Sequence, residues 1–119
     1  MFLKATVKSE QYIRKRENDV MSNAIWLISY ELKKDANVED FLLASKKCND
    51  EVLSQQKGFI SWDVLRDGDT WIDFVKWETE EDAKKGETAG VDHPASHAFY
   101  AFIDMNSCTL KLYSVEKSY

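Results

Sequence analysis

The sequence predicts an α+β fold in which a four-stranded antiparallel sheet is covered by helices on one face. Three observations predict this fold. Residues 58–78 have the pattern of a β-hairpin, Ala24–Leu32 is a nearly continuous apolar strand, and amphipathic helical segments separate the strands. At 119 residues, the chain is long enough for one such domain with a single hydrophobic core.

The hairpin is indicated by Asp67-Gly68, which lies between two runs rich in β-branched and aromatic residues. Asp-Gly is favoured in a two-residue type I′ turn because both turn positions take a positive φ. Counting outward from this turn places Trp62 opposite Asp73. Because side chains alternate along a strand, each face can be read from the sequence. One face carries Ile60, Trp62, Val64, Trp71, Asp73, Val75 and Trp77, and the other carries Phe59, Ser61, Asp63, Leu65, Ile72, Phe74 and Lys76.

Both predicted faces of the hairpin are largely apolar, whereas an antiparallel sheet with one wet face shows a clean alternation of polar and apolar residues. Two apolar faces need two covers. Helices can cover one face, and a second subunit is the simplest cover for the other. The pattern therefore predicts a homodimer that forms through the sheet face.

Asp73 stands out because aspartate is depleted in strands and this one lies between tryptophans. A buried carboxylate requires hydrogen-bond donors, and the indole N–H of Trp62 is one candidate donor. Two interpretations remain open. Asp73 makes a structural hydrogen bond, or it is a carboxylate in a pocket with a perturbed pKa that acts as a base or an anchor.

The first helix is predicted over residues 38–56, where apolar residues recur at helical spacing behind a capping Asn37. A second helix begins after Thr79, which supplies a hydroxyl cap and is followed by three acidic residues. Pro94 suits the first position of a further helix, which apolar periodicity extends to about Asp104.

The last strand is predicted over residues 108–115, after a turn at residues 105–107, because polar and apolar residues alternate there. The element order is therefore strand, helix, strand, strand, helix, strand. This is the order of the split βαβ, or ferredoxin-like, arrangement.

Residues 1–20 are predicted to be an extension outside the core, and residues 21–119 to form the single domain. The first 20 residues carry five basic and three acidic side chains, a net charge of +2, whereas the remainder carries a net charge of −7. A further hypothesis is that the native chain begins at Met21. Codons for Arg16-Glu17 can be purine-rich, and such a stretch resembles a bacterial ribosome-binding site.

Composition argues against several classes of function. A net charge of −5 disfavours binding to nucleic acid, and the longest apolar run is too short to span a membrane. Cys48 and Cys108 are isolated and lack the spacing of a metal site. With no secretory signal pattern, they predict free thiols in the cytoplasm.

The chain resembles the antibiotic biosynthesis monooxygenase-like group of the dimeric α/β-barrel superfamily over about residues 24–116. The strand order carries this resemblance, together with WIDFVKWETEEDA at 71–83 and HPASHAFYAFID at 93–104. It implies a homodimer whose two sheets pack into a barrel, with a pocket in each subunit between sheet and helices. Members known for catalysis oxidise aromatic polyketides without metal or flavin, or degrade heme, and others are quinol oxygenases or isomerases.

Two positions depart from the pattern of that group. Many members carry Glu in the third strand two residues before the Trp, where this chain has Val75. Many also carry His about ten residues after the Trp, where this chain has Glu87. The Asn, Trp and His set of the heme degraders therefore has no counterpart here, and no catalytic residue is carried over from it.

His93 and His97 are the two histidines, and their spacing places both on one helical face. Such a pair can begin a metal site, yet no motif supplies a third ligand, so neither a metal nor a cofactor is predicted. One or both can instead serve as a base or a donor in a pocket. The structural alternative makes His93 a helix cap and His97 a residue of the surface or the pocket rim.

The favoured functional hypothesis is a cofactor-independent monooxygenase that acts on a small phenol, quinol or anthrone-like aromatic. Asp73 and His97 are the candidate catalytic bases. Trp62, Trp77, His93 and Tyr100 are the candidate substrate-binding residues, although tryptophans on one face suit an ordinary core equally well. The alternative is a non-catalytic dimeric module that binds a small hydrophobic ligand or heme.

Overall fold

Four antiparallel strands form one sheet in the computed structural model, which describes residues 22–119. The strands are β1 (Ala24–Leu32), β2 (Phe59–Asp67), β3 (Thr70–Trp77) and β4 (Ile103–Ser114), and the helices are α1 (Val38–Glu51), α2 (Glu80–Gly86) and α3 (Pro94–Tyr100). The sheet order β2-β3-β1-β4 confirms the predicted ferredoxin-like arrangement. The predicted extension over residues 1–20 and the proposed start at Met21 lie outside the described residues.

The three α-helices within residues 22–119 begin at side-chain caps that the sequence indicated. Asn37 accepts from the Asp40 amide at 3.0 Å, and Thr79 accepts from the Asp82 amide at 3.0 Å. His93 Nδ1 accepts from the Ala95 amide at 3.0 Å at the start of α3. Each cap satisfies an N–H group that the first helical turn leaves unpaired.

Helix α1 is shorter than the predicted 38–56 segment. It ends at Glu51, and a short 3₁₀ helix, Leu53–Gln55, continues the chain toward β2. The Val52 amide still donates to the Cys48 carbonyl at 2.9 Å, so a helical hydrogen bond joins the end of α1 to the start of the 3₁₀ turn.

The predicted boundary between α3 and the last strand is wrong. Helix α3 ends at Tyr100, and β4 begins at Ile103, because the residues predicted to turn form a bulge within the strand. The pairing of β1 with β4 shifts register there. The Ser107 hydroxyl accepts from the Glu31 amide at 2.8 Å and donates to the Asp104 carbonyl at 2.6 Å. A side chain thus replaces the ladder hydrogen bonds that the bulge interrupts.

The hairpin turns one residue later than predicted. Asp67 pairs with Thr70, so the two turn residues are Gly68 and Asp69, and a positive φ (61°) is found at Gly68 but not at Asp69. A positive φ confined to the first turn position is the pattern of a type II′ turn, which explains why the type I′ prediction fails.

The later turn shifts the pairing of the hairpin by two residues, so Asp73 lies opposite Val64 and not opposite Trp62. An even shift keeps side chains on their predicted faces. The exception is an irregularity between Phe59 and Ser61, which turns Phe59 toward the helices while Ile60 is 44% exposed.

The helices cover one face of the sheet, and aromatic side chains fill the space between. Trp26 and Trp77 pack with ring centroids 4.8 Å apart, and Phe41 stacks on Phe99 at 5.3 Å. Gly86 brings α2 against the tryptophan pair, because a Cβ at this position would overlap the Trp77 ring. The core therefore depends on a close approach that only glycine permits.

The opposite face of the sheet is also apolar. Ile25 and Leu27 of β1 lie on it beside Ile72 and Phe74 of β3, as the pairing of the two strands shows. The described helices pack on the other face. None of the helices within residues 22–119 is long and apolar enough to cross a membrane.

Candidate functional site

A cleft lies between the sheet and the helices, with walls that enclose about 400 Å³ including its opening. The sheet contributes Trp62 and Asp73, α1 contributes Cys48, and α3 contributes Ser96 and Tyr100. The free interior holds roughly one or two water molecules. The cleft therefore leaves little free space around its polar side chains.

Asp73 is the carboxyl group of the cleft, placed there by alternation along β3. Its neighbours Trp71 and Val75 point to the same helix-covered face, and Asp73 is only 1% exposed. Tyr30 donates its hydroxyl to Asp73 Oδ1 at 2.7 Å. Burial raises the pKa of Asp73 to about 7, although the hydrogen bond from Tyr30 and the nearby Trp62 oppose the rise.

Tyr30 is a donor that stays protonated. Burial raises the pKa of the Tyr30 hydroxyl far above its usual value, and the neighbouring Asp73 charge raises it further. The proton of this hydrogen bond therefore belongs to Tyr30, while Asp73 is the partner that gains and loses a proton near neutral pH. The hydrogen bond from Tyr30 on β1 thus holds the carboxyl group of Asp73 on β3 in a fixed position.

Replacing Tyr30 by Phe should raise the pKa of Asp73 above about 7, because the hydrogen bond that favours the charged carboxylate is lost. A carbon-13 NMR titration of the Asp73 carboxyl, compared with the wild type, measures this change. The mutation leaves the ring and its packing against Phe41 in place. An unchanged or lowered Asp73 pKa would show that Tyr30 does not stabilise the carboxylate.

Trp62 lines the cleft close to Asp73. Its Nε1 is buried and has no hydrogen-bond partner at normal geometry among the described residues, yet it is near enough to lower the pKa of Asp73. The Trp62 ring packs edge-on against Phe99, with centroids 5.3 Å apart and planes at 89°. Its indole N–H thus lies beside the base without completing a hydrogen bond of normal geometry to it.

Cys48 and Tyr100 complete the ionisable groups of the cleft. Burial raises the pKa of the Cys48 thiol to about 11, although Ser96 opposes the rise, so Cys48 is a neutral thiol and a poor nucleophile at pH 7. Burial also raises the pKa of Tyr100. No Lys, Arg or His of residues 22–119 lines the cleft, and the ionisable side chains of this lining are all acids.

The structure does not bring the other predicted site residues to the cleft. Trp77 is fully buried in the core against Trp26. His93 caps α3, and its Nε2 lies 3.9 Å from Glu51 Oε1, while His97 is exposed on the same helix. Across residues 22–119, no group of three or more His, Cys, Asp or Glu side chains could hold a metal ion.

Glu87 is a buried acid outside the cleft lining that the sequence did not single out for chemistry. It is 3% exposed, and neither carboxylate oxygen has a hydrogen-bond partner among the described residues. Burial raises its pKa to about 7, against a smaller opposing effect of Lys84. Glu87 follows α2 in a polar stretch of sequence, so no local signal indicates its burial.

Neither a protein-family model nor a curated protein sequence matches the chain, but solved structures do. SnoaB from Streptomyces nogalater, a cofactor-independent oxygenase, superposes with a TM-score of 0.66 and 11% identity, covering 82% of this chain and 96% of that chain. A candidate antibiotic biosynthesis monooxygenase from Nitrosomonas europaea gives a TM-score of 0.60 and 12% identity, covering 80% and 91%.

A dimeric protein of unknown function from Bacteroides fragilis, described as ferredoxin-like, gives a TM-score of 0.51 and 14% identity, covering 78% of this chain and 96% of that chain. The matches span nearly the whole length of each of these proteins. The chain therefore has the ferredoxin-like fold that SnoaB and the antibiotic biosynthesis monooxygenase-like proteins share.

Proposed function

We propose that the chain is a cofactor-independent monooxygenase acting on a small phenol, quinol or anthrone-like aromatic in the cleft beside Asp73. The observation that carries this proposal is a buried carboxyl group on an aromatic wall whose pKa is about 7. A base with this pKa is partly ionised at neutral pH and still accepts a proton effectively. The shared fold with the oxygenase SnoaB supports the reaction class.

In this proposal, Asp73 removes a proton from the bound aromatic, and Tyr30 holds the carboxylate in place during the transfer. The electron-rich anion then donates electrons to dioxygen. For an anthrone, the methylene carbon becomes a carbonyl: the substrate loses two hydrogens and gains one oxygen atom, and the second oxygen atom leaves as water. The substrate supplies all four electrons, so this chain's task is to bind, to deprotonate and to exclude bulk water.

Substrate entry requires the cleft to widen. Its present free interior holds roughly one or two water molecules, whereas pockets for ligands of drug size span about 300–1,000 Å³. The walls already enclose about 400 Å³ with the opening. Outward movement of wall side chains, without a change of fold, would therefore admit a mono- or bicyclic phenol or quinol, and a tricyclic anthrone requires the largest movement.

Oxygen uptake measured with a panel of quinols and anthrones tests the proposed reaction. We expect uptake that saturates with substrate, uses one dioxygen per substrate molecule for an anthrone, and needs no added metal or flavin. Absence of uptake with the whole panel, from protein that binds the same aromatics, would contradict catalysis.

That last result would favour the second candidate, a non-catalytic module for a small hydrophobic ligand. The mainly apolar wall, which includes Trp26, Ile28 and Phe99, supports such binding. Heme fits the described lining less well, because neither His93 nor His97 is part of it. A spectral titration with heme separates these ligands.

We also propose that two copies of the chain pair through the open face of the sheet. Leu27 and Phe74 are direct partners at the centre of that face, and both are only partly buried. A second sheet packed there would cover them. The dimeric ferredoxin-like protein from Bacteroides fragilis supports this assembly.

Replacing Phe74 by Glu should convert the proposed dimer to monomer, because a charge would be buried at the centre of the interface. Sedimentation velocity measures the change. Replacing Leu43 by Glu is the control, since Leu43 is 67% exposed on α1 and should leave the dimer intact. A wild-type protein that sediments as a monomer at high concentration would exclude the pairing.

The free thiols Cys48 and Cys108 support a reducing compartment, and we propose the cytoplasm as the place of action.

A further inference from the structure

The indole N–H of Trp62 is a buried donor that completes no hydrogen bond of normal geometry among residues 22–119, although it lies close enough to Asp73 to stabilise the carboxylate. Its nitrogen is screened from bulk water, and native proteins pair the large majority of such donors with protein, ordered water or ligand. Because Trp62 lines the cleft, a molecule that enters the cleft can supply the missing acceptor. The unpaired donor therefore marks a point of recognition on the wall.

Packing fixes the direction of this donor. Phe99 stands edge-on to the Trp62 ring at 5.3 Å, and Phe99 is itself stacked on Phe41 at 5.3 Å. On β2, Trp62 lies opposite Val75, so Trp62 and Asp73 are diagonal neighbours on the same face. Because the packing holds this N–H in one direction, it can fix the position of the ligand atom that accepts from it.

We propose that Trp62 anchors the ligand by donating its indole N–H to a hydroxyl, ether or carbonyl oxygen of a neutral aromatic, which places that oxygen beside Asp73. The inference rests on the proposed function, whose substrate class it narrows. Trp62 is in this sense an anchoring residue, while Asp73 remains the base.

The charges of the cleft explain why the ligand is neutral. Its described ionisable side chains, Cys48, Asp73 and Tyr100, are acids, and no basic side chain of residues 22–119 accompanies them in the lining. A ligand with a carboxylate would lose the hydration of that charge without finding a basic side chain to pair with, and the Asp73 carboxylate would repel it. A phenol, ether or ketone carries the oxygen without that cost.

Trp77 provides a matched control for this inference. Its Nε1 is likewise buried without a partner among the described residues. Trp77, however, packs against Trp26 and Phe59 and is not part of the cleft lining. Replacing either tryptophan by Phe removes an unpaired indole N–H, but only Trp62→Phe removes one that faces the cleft.

The test measures binding of 2-methoxynaphthalene and 2-ethylnaphthalene to the full chain, by titration calorimetry or fluorescence. The two probes have nearly the same shape, and the ether oxygen of the first accepts a hydrogen bond. In Trp62→Phe, the affinity for the ether relative to the hydrocarbon should fall about two- to tenfold. In Trp77→Phe, the relative affinity should equal that of the wild type.

If Trp62→Phe leaves the ratio of the ether and hydrocarbon affinities unchanged, Trp62 is not the anchor. Binding of both probes would still support the cleft as a binding site for aromatics. Failure of the wild type to bind either probe overturns the proposed function and this inference together. If Trp62→Phe does not fold, the wild type alone decides the ligand class. 2-Naphthoate should then bind more weakly than 2-methoxynaphthalene by about tenfold or more, and equal affinity overturns the inference.

Discussion

Replacing Asp73 by Asn should abolish oxygen uptake with quinols and anthrones and, above pH 7, make the protein more stable. The amide cannot accept a proton, and loss of a general base typically costs about 10²- to 10⁴-fold in rate. Its carbonyl oxygen can still accept the hydrogen bond from Tyr30, so the fold should persist. Opposite effects on activity and stability are expected where a site keeps a buried charge for its chemistry.

The gain in stability follows from the pKa of Asp73. In the folded chain this pKa is about 7, against an ordinary value of 3.8, so the folded state disfavours the ionised form. Well below pH 3.8 the carboxyl is protonated in both states, and the folded chain bears no cost. Stability is lost as pH rises toward 7, because the unfolded chain ionises first, and it levels off above that pH.

Each pKa unit corresponds to about 1.4 kcal/mol, so the ionised Asp73 costs the folded chain on the order of 4 kcal/mol. The amide nitrogen that replaces it is a buried donor whose lack of an acceptor costs about 1–3 kcal/mol. Asp73→Asn should therefore raise the free energy of unfolding at pH 8 by about 1–3 kcal/mol. Urea unfolding at pH 4 and pH 8 measures the difference.

Asp63→Asn is the matched control, because Asp63 is exposed on β2 and should change neither activity nor the pH dependence. Burial also raises the pKa of Glu87 to about 7, so part of the pH dependence should remain in Asp73→Asn and decrease further when Glu87→Gln is added. Unchanged turnover in Asp73→Asn would remove Asp73 from the mechanism. A variant that is less stable at pH 8 than the wild type would contradict the cost assigned to its charge.

Replacing Trp77 by Ala should lower the free energy of unfolding by about 3–5 kcal/mol, the usual cost of removing a large buried aromatic side chain. Trp77 is fully buried, and it contacts Trp26 at 4.8 Å and Phe59 at 5.9 Å between ring centroids. Gly86 of α2 also lies directly against this ring. Urea unfolding followed by far-ultraviolet circular dichroism measures the loss.

Leu43→Ala is the control for this prediction, because Leu43 is 67% exposed on α1 and should change stability by less than about 0.5 kcal/mol. A loss below about 1 kcal/mol in Trp77→Ala would mean that the neighbouring rings close the cavity. The core would then be less rigid than the close packing of Trp26, Trp77 and Gly86 indicates.

Local patterns were sufficient to predict the fold. The apolar run at Ala24–Leu32 forms β1 with those bounds, and Asn37 and Thr79 cap their helices as their short polar side chains predict. These features depend on neighbours a few residues away, which the sequence displays directly. The end of α3 and the start of β4 were not predictable in this way, because the bulge near Ser107 is stabilised by the distant Glu31 amide.

The candidate site was predictable only in part, for the same reason. Asp73 could be singled out because a carboxyl group among tryptophans is unusual. Its partner Tyr30 could not, because their contact depends on the pairing of β1 with β3, 43 residues apart along the chain. The cleft position of Trp62 and the core position of Trp77 depend on how the helices lie over the sheet, and alternation along a strand does not distinguish them.

The alternation of side chains in the hairpin predicts which changes of length its strands can accommodate. Its turn lies one residue later than Asp67-Gly68 implies, and the pairing moves by two, yet Trp62 and Asp73 keep their side of the sheet. An insertion of two residues within one strand would likewise leave that alternation intact, whereas a single insertion would send the cleft residues beyond it to the opposite face. We therefore expect insertions and deletions of two residues within a hairpin strand to be tolerated better than those of one residue, which allows the rim of the cleft to be altered in two-residue steps.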